Sequence, residues 1–370
     1  MSTTRVFLHT ALRSTAMVVF CLALCAFTLA VSAKPAFTSF DAPGAGTCSG
    51  CGTFPFEITA QGLISGYYID NNSVSHGFLR DLHGNIVNYD APGAGTAAGQ
   101  GTFIIGQVPS GLFTGSYIDS SNIRHGFLAS KSGYFLSFDP NGSDRTFSVD
   151  INPRAETAGY FRDSNRVRHG FVRTAAGSIT TFDAPDAGTD PGEGTFVALA
   201  SGLNQSGMLA GWYVDSSGVV HSYVHAVDGT ITEYDPTGYS SSATGSINTG
   251  GLSTGAGYDS AGAGHGFVRA TDGIFTLFDV MGAGTDSGQG TLPESINAGG
   301  VVTGNYIDSS NVNHGFVRYP GGGIVTFDAP GAGTCAGCGT IPATNNAGDR
   351  ITGYWIDNNG VSHGFLTVFP

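Results

Sequence analysis

Residues 52–90 read GTFPFEITAQGLISGYYIDNNSVSHGFLRDLHGNIVNYD. The stretch divides into the runs GTFPFEIT, LISGYYID, VSHGFLR and IVNYD, separated by turns that carry Gly, Asn or Asp. Each run is short, rich in aromatic and β-branched side chains, and bounded by turn formers, which is the pattern of four strands. The tripeptide HGF returns at His76, His125, His169, His265, His314 and His363, with the variant HSY at His221. An aromatic-Asp pair marks the same units at Asp41, Asp90, Asp139, Asp183, Asp235, Asp279 and Asp328. The repeat length is about 48 residues, a period that belongs to propellers or helical arrays. Outside the first 33 residues no apolar 3.6-residue period survives without a glycine interrupting it, which removes the helical alternative.

The two chain ends sharpen the reading. Phe37-Thr38-Ser39-Phe40-Asp41 copies the fourth strand of a unit, while the C-terminus stops after His363-Gly364-Phe365-Leu366, a copy of the third. Pairing the ends closes a ring and covers strand edges that otherwise invite aggregation. An open solenoid needs capping units instead, and none is visible. The expected fold is therefore all-β: a seven-bladed β-propeller of four-stranded antiparallel blades, residues 34–370, closed by its N-terminal strand.

Composition narrows the class further. Charged residues make up 12% of the 370, and 58 are glycine, so turns are numerous. Hydrophobic residues at 41% exclude a disordered or collagen-like chain. A net charge of −13 argues against a nucleic-acid partner. Residues 1–33 carry Arg5 and Arg13, an apolar run from Ala16 to Ala30 and a Val31-Ser32-Ala33 ending, which together predict a cleaved secretory signal. An uncleaved anchor, or lipidation at Cys25, is the alternative. After signal removal no segment is long and apolar enough to span a bilayer, so a secreted monomer without membrane insertion is expected.

The units, with INxxGxITGxY, DSSNVxHGF and a segment ending FDAPGAGT, resemble the extracellular HAF repeats of exported bacterial proteins; Ser295-Ile296-Asn297-Ala298-Gly299-Gly300 through His314-Gly315-Phe316 is the clearest copy. The resemblance covers nearly all of the exported chain and departs at His221-Ser222-Tyr223 and at Gly257, where an aromatic is usual. It implies export and a propeller-like array, and supplies no catalytic residues. The expected function is non-catalytic binding or scaffolding at the cell surface or outside the cell, with glycan or protein as ligand and no cofactor. A carbohydrate-active enzyme, lyase or hydrolase, with its site in the long loops over the channel, is the second reading.

The histidines repeat with the architecture and sit one per unit on the third strand, so they read as structural rather than as metal ligands or catalysts. A turn aspartate lies six residues before each: Asp70, Asp119, Asp163, Asp215, Asp259, Asp308 and Asp357. A hairpin brings such a pair into hydrogen-bonding range and fixes the tautomer. The same aspartates precede Ser or Asn and suit turns that bond their own backbone. One carboxylate per turn is too few for calcium, the competing idea. A glycosidase needs a carboxylate pair in unlike environments, and Asp190, Glu193, Asp286 and Glu294 fall in or near the long loops, though no pair among them stands out as catalytic. Cys48-Ser-Gly-Cys51 and Cys335-Ala-Gly-Cys338 read as two intraloop disulfides, with cross-loop disulfides, zinc or redox chemistry as alternatives. Arg124, Lys131, Arg145, Arg154, Arg162, Arg166, Arg168 and Arg173 gather eight basic residues in one window of an acidic chain. Local ion pairing explains such a window; the functional alternative is steering of an acidic glycan, with Arg162, Arg166 and Arg168 on one hairpin as binding residues.

Overall fold

The computed structural model describes residues 36–369. The expected signal segment 1–33, with Cys21, Cys25 and the expected cleavage site, lies outside them. The described residues form strands and turns, with no helix long and apolar enough to cross a membrane.

Strands Gly52–Ile58, Ile64–Ile69, Ser75–Arg80 and Ile86–Tyr89 pair in chain order, each antiparallel to the next. The same succession starts again at Gly101, Ser143, Gly194, Ser241 and Gly290. The last succession runs through Gly339–Asn345, Arg350–Ile356 and Ser362–Val368, and takes its fourth strand from Ala36–Phe40 at the other end of the chain. There Phe37 packs against Phe327 and Phe365 with ring centroids 5.8 Å apart in each pair. Trp355 Nε1 donates to Ser39 Oγ at 2.9 Å.

A single backbone bridge ties the first strand of one unit to the third strand of the unit before it. Gly52 pairs with Ser362, Gly101 with Ser75, Gly194 with Arg168, Gly290 with Gly264 and Gly339 with Asn313. These five glycines have φ between +106° and +116°, and a Cβ at any of them falls on the partner's carbonyl oxygen. That close approach explains the recurring Gly-Thr that opens each long run. Two units depart. Arg145 makes the bridge to Arg124 without a glycine, and Ser241 replaces it by donating its hydroxyl to the Val220 carbonyl at 3.0 Å.

The aromatic of each HGF is the core residue: Phe78, Phe127, Phe171, Phe267, Phe316 and Phe365 are fully buried. Burying one such ring contributes roughly 2–3 kcal/mol. Tyr223 in the HSY unit is as deeply buried, and its extra hydroxyl donates to the Phe196 carbonyl at 3.0 Å, so that departure leaves no orphaned polar group. Between units, the guanidinium groups of Arg80, Arg269 and Arg318 lie over Phe40, Tyr234 and Phe278 at 4.7, 4.6 and 4.7 Å.

Candidate functional site

The third strand is flanked by the second and the fourth, so the histidines point to separate places around one face and do not converge. Each is clamped. Nδ1 of His76, His125, His169, His221, His265, His314 and His363 meets Asp90, Asp139, Asp183, Asp235, Asp279, Asp328 and Asp41 respectively, at 2.6–3.1 Å. The turn aspartates Asp70, Asp119, Asp163, Asp215, Asp259 and Asp308 stand farther off, 3.4–3.8 Å from Nε2. The expected hairpin pairing is thus the weaker of two contacts, and the aromatic-Asp mark supplies the closer carboxylate. Its signal in the sequence is the constant offset of 14 residues between the two marks. An aromatic ring stacks on each imidazole, Tyr68 on His76 and Trp355 on His363 among them. Where Gly257 lacks that ring, Tyr239 from the preceding loop fills the space and stacks on His265 at 5.1 Å. Seven such clamps fit a structural role.

The turn aspartates, Asp357 included, accept N–H groups two and four residues on. The N–H groups of Ile123, Val219 and Ala263 hold Asp119, Asp215 and Asp259 below the usual carboxylate range. Cys48 and Cys51, and likewise Cys335 and Cys338, face each other within their own loops, Cα atoms 5.1 Å apart, as intraloop disulfides do. Among the loop acids, Glu193 accepts the N–H of Asp190 at 2.8 Å and so shapes its own turn, while Gln289 does the same for Asp286. Glu294 lies on a first strand, not in a loop.

The three singled-out arginines do not form one exposed patch. Arg162 is bidentate to Asp144 at 2.9 and 2.6 Å, and Arg168 donates to the Gly192 carbonyl at 2.7 Å while covering the Phe196 ring. Only Arg166, in a turn with φ +69°, is exposed.

A different break in the repeat opens a cleft. In five units the loop after the fourth strand leans on the second strand of the next unit through Gly46, Gly95, Gly188, Gly284 and Gly333, whose N–H groups donate to Ile69, Ile118, Val214, Ile307 and Ile356 at 2.8 Å. In those units the N–H after the aromatic-Asp also donates to a threonine hydroxyl, as Ala91 does to Thr102. Asp139 and Asp235 are instead followed by Pro140 and Pro236, which have no N–H. The hydroxyls of Thr146 and Ser242 turn round to donate to Asp139 and Asp235, and both loops are shorter. Tyr239 fills the gap in one. The other stays open as a cleft of about 470 Å³ between the second and third units, whose lining includes Asn122, His125, Ser143, the carboxylates Asp139 and Asp144 and the three arginines Arg124, Arg145 and Arg162.

The first strands converge on a cavity of about 240 Å³. Its rim is a belt of asparagines: Nδ2 of Asn204, Asn248, Asn297 and Asn346 donates to the carbonyls of Asn248, Asn297, Asn346 and Thr59, each at 2.9 Å. This gives the Asn of INxxG a physical role, since its Oδ1 also accepts two N–H groups of its own turn. Two carboxylates that sequence reading missed, Glu57 and Asp150, line the cavity; the signal was an acid inside the apolar runs PFEI and SVDI. Burial raises Asp150 to about 6 against four backbone N–H donors, and burial together with the Asp150 charge pushes Glu57 well above its usual range. Elsewhere Glu294 lines a hollow with Trp212, Ala243, Gly245 and Tyr258, and partial desolvation against that wall raises its carboxyl above the usual range.

Because the folded chain holds protons on Glu57 and Asp150 that the unfolded chain releases, their contribution to stability is complete below about pH 4 and is lost as pH rises through about 6. The denaturant midpoint is expected to be higher at pH 4.5 than at pH 7.5, and Glu57→Gln to narrow that difference by raising the pH 7.5 value. Equal midpoints for the native chain at the two pH values contradict the burial of these acids.

No protein-family model and no curated protein matches the chain. Among solved structures, it superposes on the BP39L lectin from Burkholderia pseudomallei with a TM-score of 0.53 at 8% identity, covering 83% of this chain and 92% of that one. An S511A mutant of puromycin hydrolase complexed with PGG gives 0.50 at 13% identity, covering 86% of this chain and 50% of the hydrolase. These likenesses define the class by fold alone: an all-β, propeller-like protein.

Proposed function

We propose that this chain is an exported member of the HAF-repeat proteins, a propeller of seven four-stranded blades closed by its N-terminal strand, which binds a glycan without catalysis. The observation that carries the binding reading is the cleft between the second and third units, the place where the repeat exchanges a packed loop for open space lined by polar side chains. Antiparallel pairing of Ala36–Phe40 with Ser362–Val368 supports closure. The two intraloop cysteine pairs support an oxidising compartment outside the cytoplasm. The lectin likeness agrees with the reading at the level of fold.

The enzymatic alternative has one pair to offer, Glu57 and Asp150 in the axial cavity. Both are raised by burial, whereas a glycosidase keeps one of its two acids ionised. A polysaccharide pull-down with product analysis separates the readings. Retention without new reducing ends or unsaturated products is expected; cleavage of a retained polysaccharide transfers the proposal to the axial carboxylates.

A further inference from the structure

We propose that the cleft between the second and third units is a subsite for the carboxylate of an acidic saccharide, and that Arg145 is the residue that meets it. This rests on the glycan-binding reading above and adds the chemical class of the ligand.

The charges around the cleft do not cancel. Arg162 is consumed by Asp144 in a two-bond pair. Asp139 is held by His125 at 2.7 Å and by the Thr146 hydroxyl, so it pairs with neither remaining arginine, and three arginines against two aspartates leave the lining with an excess of one positive charge. Two guanidinium groups are left, Arg124 and Arg145, on residues joined by a backbone bridge, and neither has a carboxylate within 4.0 Å among the described residues. Arg124 is wedged between Phe103 and Phe147, its centre 4.3 and 4.9 Å from the two rings. It donates through Nη1 to Ser116 Oγ at 2.7 Å, and its buried Nε has no acceptor. Burial and the neighbouring Arg145 charge lower its guanidinium to about 10, with the phenols of Tyr160 and Tyr67 acting the other way. A partly buried cation beside a second one lacks a counter-charge, and an anion in the cleft provides it.

Three features turn that anion into a sugar acid. A planar carboxylate matches the guanidinium fork of Arg145 in a two-bond geometry. The cleft, about 470 Å³, is of the size that holds a small organic ligand, and Asn122 and Ser143 at its wall offer donors and acceptors for hydroxyl groups. The chain as a whole carries −13, so its long-range field repels a polyanion and retention of one requires a local site. The feature is confined to one junction. Among the equivalent bridges, Gly52 with Ser362, Gly101 with Ser75, Gly290 with Gly264 and Gly339 with Asn313 carry no charge, and Gly194 with Arg168 carries one; the bridge between Arg145 and Arg124 joins two arginines.

The test uses the full chain and three uronans, polygalacturonate, alginate and hyaluronan, each beside its carboxyl-reduced neutral form, with affinity read by calorimetry. At least one uronan is expected to bind, with its reduced form weaker by about tenfold, the loss that goes with one charge-assisted contact. Arg145→Ala is expected to cause a similar loss for the acid and little for the reduced sugar. Asp144→Asn, which frees Arg162, is expected to tighten the acid and covers the case in which the first variant folds poorly. Equal binding of acid and reduced forms, both abolished by the cleft-filling Ser143→Trp, overturns the carboxylate assignment and leaves the glycan reading standing. Absence of binding to every uronan and every reduced form overturns both.

Discussion

A chain that lacks residues 36–40 is expected to melt at least about 10 °C below the intact protein and to elute as oligomers. Ala36–Phe40 contributes five backbone-paired positions against Ser362–Val368. It also brings Phe37 against Phe327 and Phe365, and Phe40 beneath Arg80 and beside Phe78. Removing it strips the cover from Phe365, which is fully buried, and opens the hydrogen-bonding edge of the last strand. Two large rings and a five-residue ladder represent several kcal/mol, and an open edge pairs with another copy. Scanning calorimetry with light scattering reads both effects. A truncated chain that stays monomeric and melts with the intact protein shows that the N-terminal strand is an ornament rather than the piece that completes the last unit.

The second large effect is expected from one methyl group. Gly101→Ala places a Cβ on the carbonyl oxygen of Ser75 at a residue held at φ +114°, where an L side chain is strained even in open space. The inter-unit bridge must break or shift, at a cost of roughly 3 kcal/mol or more. Gly99→Ala, two residues earlier, is the control: φ there is +81°, but nothing lies within 4 Å of the new methyl, so the cost is the backbone strain alone, about 1 kcal/mol. Urea denaturation of the two variants measures the difference. If they lose the same stability, the close approach at Gly101 does not limit the packing of units.

Much of this architecture is legible in the chain because its repeats are punctuated by glycine. Runs such as GTFPFEIT and LISGYYID become strands with boundaries near those expected, since their apolar residues have no competing helical period. The turn aspartates bond their own turn backbones for the reason that made them readable, a short acceptor placed two and four residues before free N–H groups. Partners across strands were harder. Spacing alone points His76 to Asp70 on its own hairpin, while the nearer carboxylate, Asp90, follows the strand on the other side. The arginine window was visible as a charge count, but a count cannot say that Asp144 neutralises Arg162 or that the Gly192 carbonyl occupies Arg168. What isolates Arg145 is a missing loop, and the two signs of it were local: the proline after Asp139, and an arginine where neighbouring units have glycine. Glu57 and Asp150 stayed hidden because convergence on an axis is a property of the assembled units, not of any one of them.

The proposed glycan site is the cleft where the second and third units meet. Hydrogen exchange of the full chain, followed by mass spectrometry with and without a saturating retained glycan, locates the bound sugar. Slowed exchange is expected in residues 119–125 and 139–146 alone, with the corresponding turns of the other units unchanged. Protection spread evenly over all the histidine-bearing turns, or concentrated around the asparagine belt and Glu57, contradicts that site.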